Sequence, residues 1–144
     1  MHATIVTLPG DGVGKEVVVS ARKVLEAVAG AYHHEFHFIE YPIGGTSIEK
    51  FGTALTEEAV EGCLKASGVL LGAVGDPRYD HPGQKIKPEQ GLLELRKRMG
   101  VFANLRPVKV YPRLIDQSPL KPERLGDVDM VVVRELTGGL YFGQ

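Results

Sequence analysis

The opening of the chain confines the fold more tightly than anything after it. ATIVTL (residues 3 to 8) is a short β-rich run that ends at Pro9 and the glycine cluster PGDGVG, which predicts a strand feeding a tight turn. From Lys15 to Ala31, Val17, Val18, Ala21, Val24, Leu25 and Val28 recur at helical spacing, and Gly30 marks the end of that helix. The unit then repeats. EFHFIEY (35 to 41) alternates like a second strand and is closed by PIGGT. Thr56 before Glu57 and Glu58 makes an N-cap with an acidic first turn, so TEEAVEGCLKAS predicts a helix, and ASGVLLGAVG (66 to 75) predicts a buried strand. Strand, helix, strand, helix, strand is the order of an α/β layer, a mostly parallel sheet flanked by helices, whose ligand clefts lie at the C-terminal ends of the strands. The turns PGDGVG and GAVGDP then open onto the same edge.

Beyond this layer the pattern changes. DPRYDHPGQKIKPEQ predicts a loop, GLLELRKRM a short helix, and VFANLRPVKVYP a long extended run in which Pro107 argues for an edge or bulged strand. SPLKPERLGDVD is a polar connection, and DMVVVREL is a final apolar strand that breaks at Thr137-Gly138-Gly139. A chain of 144 residues suits one core or part of a larger domain, and 43% hydrophobic with 24% charged residues excludes a disordered or collagen-like chain. The start has no basic leader and no run approaches the ~20 apolar residues of a membrane span, so a cytoplasmic protein is expected. Cys63 is the single cysteine, which rules out an internal disulfide and a cysteine metal cage and suits a buried helix position.

LPGDGVGKE invites two nucleotide-binding readings, and its spacing rejects both. A phosphate-cradling P-loop needs a glycine where Pro9 stands and a hydroxyl residue where Glu16 stands, while a dinucleotide fingerprint needs a third glycine where Lys15 stands. The glycines then serve either a ligand brought close to the backbone and the helix N-terminus, or a tight turn alone. Charge is distributed unevenly: residues 81 to 113 carry eight Lys/Arg against two Asp/Glu, although the whole chain has a net charge of −1. Within and after that segment, Arg96, Arg106 and Arg134 are three guanidinium groups that can meet in one cleft if their elements fold together, a receptor suited to a dicarboxylate. Leu92 and Leu93, one turn before Arg96, would set an apolar pocket beside it. A nucleic-acid partner is disfavoured, because only Phe102 and Tyr111 interleave with the basic residues for stacking. His33, His34 and His37 have no acidic or cysteine partner patterned around them and read as solvated turn histidines.

LPGDGVGKEV, GGTSIEKFG, LLGAVGDPRYD, GLLELRKRMGVFANLRPVKVYP and VVVRELTGGLYFG, in that order, make the chain similar to the 3-isopropylmalate dehydrogenase family, within the metal-dependent β-hydroxyacid oxidative decarboxylases. The resemblance implies the N-terminal part of that α/β fold: residues 1 to 100 as the first half of the larger, cofactor-binding domain, and 101 to 144 as the start of the smaller, dimerisation and substrate domain. It implies NAD-dependent oxidative decarboxylation of 3-isopropylmalate to 4-methyl-2-oxopentanoate in leucine biosynthesis, by a homodimer using Mg²⁺ or Mn²⁺ as Lewis acid. Arg96, Arg106 and Arg134 match the family's binders of the malate carboxylates, and Tyr141 its proton donor to the enol carbon. Glu89, Leu92 and Leu93 match the segment against the substrate's branched side chain and the nicotinamide. Val13, Ala73, Val74, Gly75 and Asp76, again with Glu89, match the lining of the cofactor site. Two leucines favour isopropyl over the extra carboxylate of isocitrate; homoisocitrate, isocitrate or tartrate are the alternatives. Asp76 stands where the family carries glycine, and Tyr79 where it carries tryptophan.

The family's catalytic lysine, its three metal-holding aspartates and its adenine-binding loop fall beyond Gln144, so no metal ligand is assigned within these residues. The 144-residue polypeptide alone is accordingly expected to be inactive, with uncovered core and unpaired strand edges. A non-catalytic truncated binding domain is the rival expectation.

Overall fold

In the computed structural model, residues 1–126, 128–136 and 138 are described. They form two compact units, Met1–Gly100 and Val101–Gln144.

In the first unit, β1 (His2–Gly10), β2 (Glu35–Glu40) and β3 (Gly68–Ala73) form a parallel sheet in the order β2-β1-β3. Putting the first strand in the middle is what brings the two glycine turns together: Gly10 stands opposite Ala73, so both turns leave the same end of neighbouring strands. Val6 and Leu8, two residues apart and so on one face of β1, pack with Ile43, Cys63 and Leu95 into a fully buried cluster. The helices α3 (Glu57–Lys65) and α4 (Pro88–Arg98) supply Cys63 and Leu95. Cys63 is the buried helix residue its apolar neighbours predict, and burial pushes its thiol pKa up. Thr56 caps α3 as expected, its hydroxyl accepting from Ala59 N–H at 3.2 Å.

The long helix α1 (Gly14–Tyr32) packs on the sheet through Gly14, Val18 and Ala29. It does not end at Gly30. The chain leaves through His33, which adopts a left-handed conformation at φ 54° and donates its N–H to Ala29. Gly30 is an exposed helix residue with open space around it. The apolar stripe of α1 is also wider than the sheet it covers: Val17, Val24 and Val28 are exposed. The opposite flank of the helix carries Arg22, whose guanidinium lies 4.7 Å from the Phe38 ring of β2, so the exposed valines project on the side of β3. β3 itself is half-exposed where a buried strand is predicted, because it pairs with β1 on one side and with no other strand among the described residues.

Helix α2 (Gly45–Phe51) is absent from the sequence expectation, which closes β2 with the turn PIGGT. Seven residues with two apolar positions give no readable period. The helix is bracketed by Gly44 and Gly52, both at φ 72°, the left-handed region that suits glycine at a reversal of the chain.

In the second unit, β4 (Ala103–Lys109) and β5 (Asp129–Glu135) form an antiparallel ladder in unbroken register. Pro107 sits opposite Val131 in this two-stranded sheet, where both strands are edges, and no bulge is needed to hold it. The polar connection contains a 3-10 turn over Pro112–Gln117 and the short helix α5 (Pro122–Leu125), whose Leu125 is buried. Met130, Val131, Val132 and Val133 are all exposed.

Candidate functional site

The C-terminal edge of the parallel sheet is built around one carboxylate. Asp11, in the turn between β1 and α1, is only 4% exposed, and each of its oxygens accepts two hydrogen bonds. Oδ2 takes the N–H of Gly45 at 2.9 Å and of Gly75 at 3.1 Å. Oδ1 takes the N–H of Thr46 at 2.8 Å and shares, at 3.2 Å, the single hydroxyl proton that Thr46 also directs at the Gly10 carbonyl at 2.9 Å. Gly45 and Thr46 open α2, whose own N-cap, Gly44, has no side chain to offer. Asp11 therefore caps α2 from another loop, and an acidic group suits the positive end of the helix. The three turns that follow β1, β2 and β3 are joined at this point.

The glycines around it are occupied by packing. A Cβ on Gly14 would lie 2.6 Å from Ala73 N and closer still to the Pro9 carbonyl oxygen, and one on Gly72 would meet the Pro9 and Gly14 carbonyls. The first turn of α1 thus sits against the ends of β1 and β3, backbone on backbone. Gly12 differs, with nothing within 4 Å of a Cβ position, and its neighbour Val13 is 61% exposed. Gly75 is open too, apart from the Glu89 carboxylate, whose Oε1 lies 3.2 Å from where its Cβ would be.

Asp76, at the end of this turn, caps the 3-10 turn Pro77–Tyr79 by accepting the N–H of Arg78 at 2.9 Å. The Arg78 guanidinium also binds the Asp76 carboxylate at 2.7 Å and Glu49 of α2 at 3.3 Å. The Arg78 side chain, helped by its backbone N–H, holds the Asp76 carboxyl below the usual carboxylate range, and the two acids raise the pKa of Arg78. The carboxylate that replaces a glycine here is therefore engaged by its own loop.

Glu89, Leu92, Leu93 and Arg96 recur at i, i+3, i+4 and i+7 of α4 and form one stripe beside the buried stripe Pro88, Gly91 and Leu95. Leu92, Leu93 and Arg96 are half-buried. Gly91 lets the helix press on the 54–55 segment: a Cβ there would lie 2.9 Å from the carbonyl carbon of Ala54. In the second unit the register sets Arg134 opposite Asn104 and Arg106 opposite Val132, so both arginines share one face of the ladder. Arg106 donates from Nε to Asn104 Oδ1 at 2.9 Å. Tyr141 lies outside the described residues.

The sequence-derived candidates thus fall into three local groups: Val13 with Ala73–Asp76 on adjacent strand ends, the α4 stripe, and the arginine face of the ladder. Asp11, Thr46 and the Arg78–Glu49 link escaped the sequence reading. The one signal for Asp11 was a carboxylate between two glycines, where the turn leaves it no exposed partner. A cleft of about 440 Å³ between α1, the end of β2 and α2 is lined by Lys15, Tyr41, Thr46, Glu49 and Lys50, and by none of the candidates. His33 and His37 are exposed, and no group of three or more His, Cys, Asp or Glu side chains among the described residues is placed to hold a metal ion. No helix among them is long and apolar enough to cross a membrane.

A parallel β2-β1-β3 sheet flanked by helices, with glycine turns joined at its C-terminal edge, defines an α/β protein, and that edge is where open sheets of this class generally take ligands. A family model described as isocitrate/isopropylmalate dehydrogenase matches residues 4–144, and the chain belongs to that family of oxidoreductases. It is 60% identical over 144 residues to a 3-isopropylmalate dehydrogenase of Anaeromyxobacter dehalogenans (strain 2CP-C), covering all of this chain and 41% of that one. A 3-isopropylmalate dehydrogenase of Bacillus subtilis (strain 168) is 53% identical, with all of this chain and 40% of the relative covered. Among solved structures, the apo form of a β-decarboxylating dehydrogenase from Thermococcus kodakarensis matches with a TM-score of 0.67 at 29% identity, over 100% of this chain and 39% of that one. The chain spans about 40% of the length of these relatives.

Proposed function

We propose that these residues are the N-terminal part of an NAD-dependent 3-isopropylmalate dehydrogenase. The observation that carries the reading is the α4 stripe, a guanidinium one turn from two half-buried leucines with Glu89 at its start against Gly75. Arg96 suits a malate carboxylate, and Leu92 and Leu93 suit a branched alkyl group, leaving no polar side chain between them for a third carboxylate. The likeness to two 3-isopropylmalate dehydrogenases supports the same substrate.

In this reading Arg106 and Arg134 bind substrate carboxylates as well, and Tyr141 protonates the carbon left by carbon dioxide. NAD, when bound, accepts the hydride from the hydroxyl-bearing carbon. Val13, Ala73, Val74, Gly75, Asp76 and Glu89 would hold its nicotinamide end, and the fit is favourable at the end of β1, where Val13 is exposed and Gly12 has open space beside it. Mg²⁺ or Mn²⁺, when bound, would act as Lewis acid in the same reading; among the described residues no group of three or more His, Cys, Asp or Glu side chains is placed to hold it. The working enzyme is a homodimer in the same reading, and no nucleic acid or membrane takes part. The larger role proposed for Met1–Gly100 is cofactor binding, and for Val101–Gln144 dimerisation and substrate binding.

The test is a comparison of kcat/KM for isopropylmalate, homoisocitrate, isocitrate and tartrate with the complete gene product, followed as NADH formation. Isopropylmalate is expected to lead by at least tenfold. A higher value for any of the others overturns the substrate reading, and absence of NAD reduction with all four overturns the activity.

A further inference from the structure

We propose that Asp11 is a positioning residue for the cofactor turn, fixing Gly75 by a hydrogen bond from a carboxylate that is itself anchored to the N-terminus of α2. The proposal rests on the reading of Ala73–Asp76 as the nicotinamide site. Its physical basis is independent of that reading.

A carboxylate 4% exposed must have its oxygens satisfied, and Asp11 has all four of its bonds from groups in other turns. Three of these hold it to Gly45 and Thr46, so its position is set by α2 before Gly75 is considered. The surroundings leave it no second place to go. A Cβ on Gly44 would overlap Oδ2, and one on Gly45 would lie 3.2 Å from Oδ1, so the carboxylate lies directly on glycine backbone. The fourth bond, from Gly75 N–H at 3.1 Å, hands that fixed position to the turn after β3. Gly75 is at φ 144°, a conformation that glycine adopts and residues with a side chain rarely do. The Glu89 carboxylate packs on its α-carbon from the other side. If Gly75 is released, the peptide that faces the nicotinamide and the floor under Glu89 move together, while the arginines and leucines of α4 keep their own supports in Leu95 and Gly91.

A merely structural Asp11 would lower stability and leave both Michaelis constants alone. A positioning Asp11 separates them. The experiment compares Asp11→Ala, Asp11→Asn and Thr46→Val in the complete gene product, at a temperature where all are folded. Amide hydrogen exchange at Gly75 and the KM values for NAD and for isopropylmalate are measured for each. Thr46→Val removes only the hydroxyl bonds and is expected to cost stability with Gly75 exchange and KM for NAD within about twofold of the parent. Asp11→Ala is expected to speed Gly75 exchange and raise KM for NAD by roughly tenfold or more, the size expected for losing a bond to a charged acceptor, with KM for isopropylmalate within about twofold. Asp11→Asn keeps the side-chain volume and decides the matter if the alanine variant does not fold. Its one oxygen serves either α2 or Gly75, and KM for NAD must follow whichever state the Gly75 exchange reports. Faster exchange at Gly75 with unchanged KM for NAD, or raised KM in Thr46→Val equal to that in the Asp11 variants, overturns the proposal. If the parent reduces no NAD, the functional reading fails instead, and Gly75 exchange alone still shows whether Asp11 holds the turn.

Discussion

Replacing Gly14 and Gly30 by alanine, two glycines of the same helix, should change stability in opposite directions. On helix propensity alone each substitution should stabilise, by up to about 1 kcal/mol. At Gly30 nothing lies within 4 Å of the added Cβ and the residue is exposed, so the gain survives, at roughly 0.4–1 kcal/mol. At Gly14 the Cβ would lie 2.6 Å from Ala73 N and closer to the Pro9 carbonyl oxygen. Ordinary contact needs nearly an ångström more, and both obstacles are backbone atoms of paired strands, which cannot rotate away. Overpacking of this kind costs about 1–3 kcal/mol, and with two backbone atoms inside contact distance the upper end applies; less the propensity gain of up to about 1 kcal/mol, the net effect at Gly14 is a loss of about 2 kcal/mol. In urea denaturation that is a midpoint lowered by roughly 1 M, against a midpoint raised by a few tenths for Gly30→Ala. A Gly14→Ala protein as stable as the parent would mean that the first turn of α1 does not sit against the ends of β1 and β3. A destabilised Gly30→Ala would mean that α1 does not continue to Tyr32.

Ser47→Ala should stabilise the first unit by about 1 kcal/mol, because the Ser47 hydroxyl is buried without a partner among the described residues and its desolvation is not returned; an unchanged or lowered midpoint would place an ordered water or other acceptor there. The carboxyl of Asp76 is held below its ordinary value of 3.8 by Arg78. Its folded pKa being depressed, its contribution to stability is present above the unfolded value and fades as pH falls through the folded one, so Asp76→Asn should flatten the stability profile below about pH 4 and change little at neutral pH. Equal slopes in acid for the parent and the variant would show that the Arg78 pair is not maintained in solution. Arg106→Leu should lower kcat/KM for isopropylmalate by about 10- to 100-fold, the loss of a hydrogen-bonded charge, without a matching fall in melting temperature, since the side chain is exposed. A fall below threefold would remove Arg106 from the substrate site.

The elements that were legible in the sequence are those whose period had room to show. Nineteen residues of α1 carry a stripe that no other pattern explains, and Thr56 with two acids behind it marks α3 before any apolar count. The end of α1 is hard to place from sequence because Gly30 is the stronger stop signal, whereas the stop is a left-handed His33, a conformation His tolerates but marks far less plainly than glycine. Helix α2 was invisible for a different reason: its N-terminus is capped by Asp11, thirty-four residues earlier in the chain. A cap that arrives through tertiary structure leaves no local mark. The same holds for the site: Leu92, Leu93 and Arg96 could be read from helical spacing, whereas Glu89 fell in the expected loop because α4 starts earlier, at Pro88, and the joint at Asp11 depends on β1 lying between β2 and β3.

That strand order also resolves what the glycines in PGDGVG are for. Local reasoning left a ligand and a tight turn as competing explanations, as though the cluster had one purpose. The structure divides it. Gly14, with Gly72 of the neighbouring strand, is used where helix and strand backbones touch, and no side chain or phosphate fits into that seam. Gly12 faces open space beside an exposed Val13, and across the strand pair a Cβ on Gly75 would meet the Glu89 carboxylate. What remains uncovered in the motif is Gly12 with Val13, while Gly75 of the neighbouring turn has the Glu89 carboxylate beside it. In the proposed function the cofactor would meet the chain there, beside the Gly75 N–H that Asp11 holds at 3.1 Å.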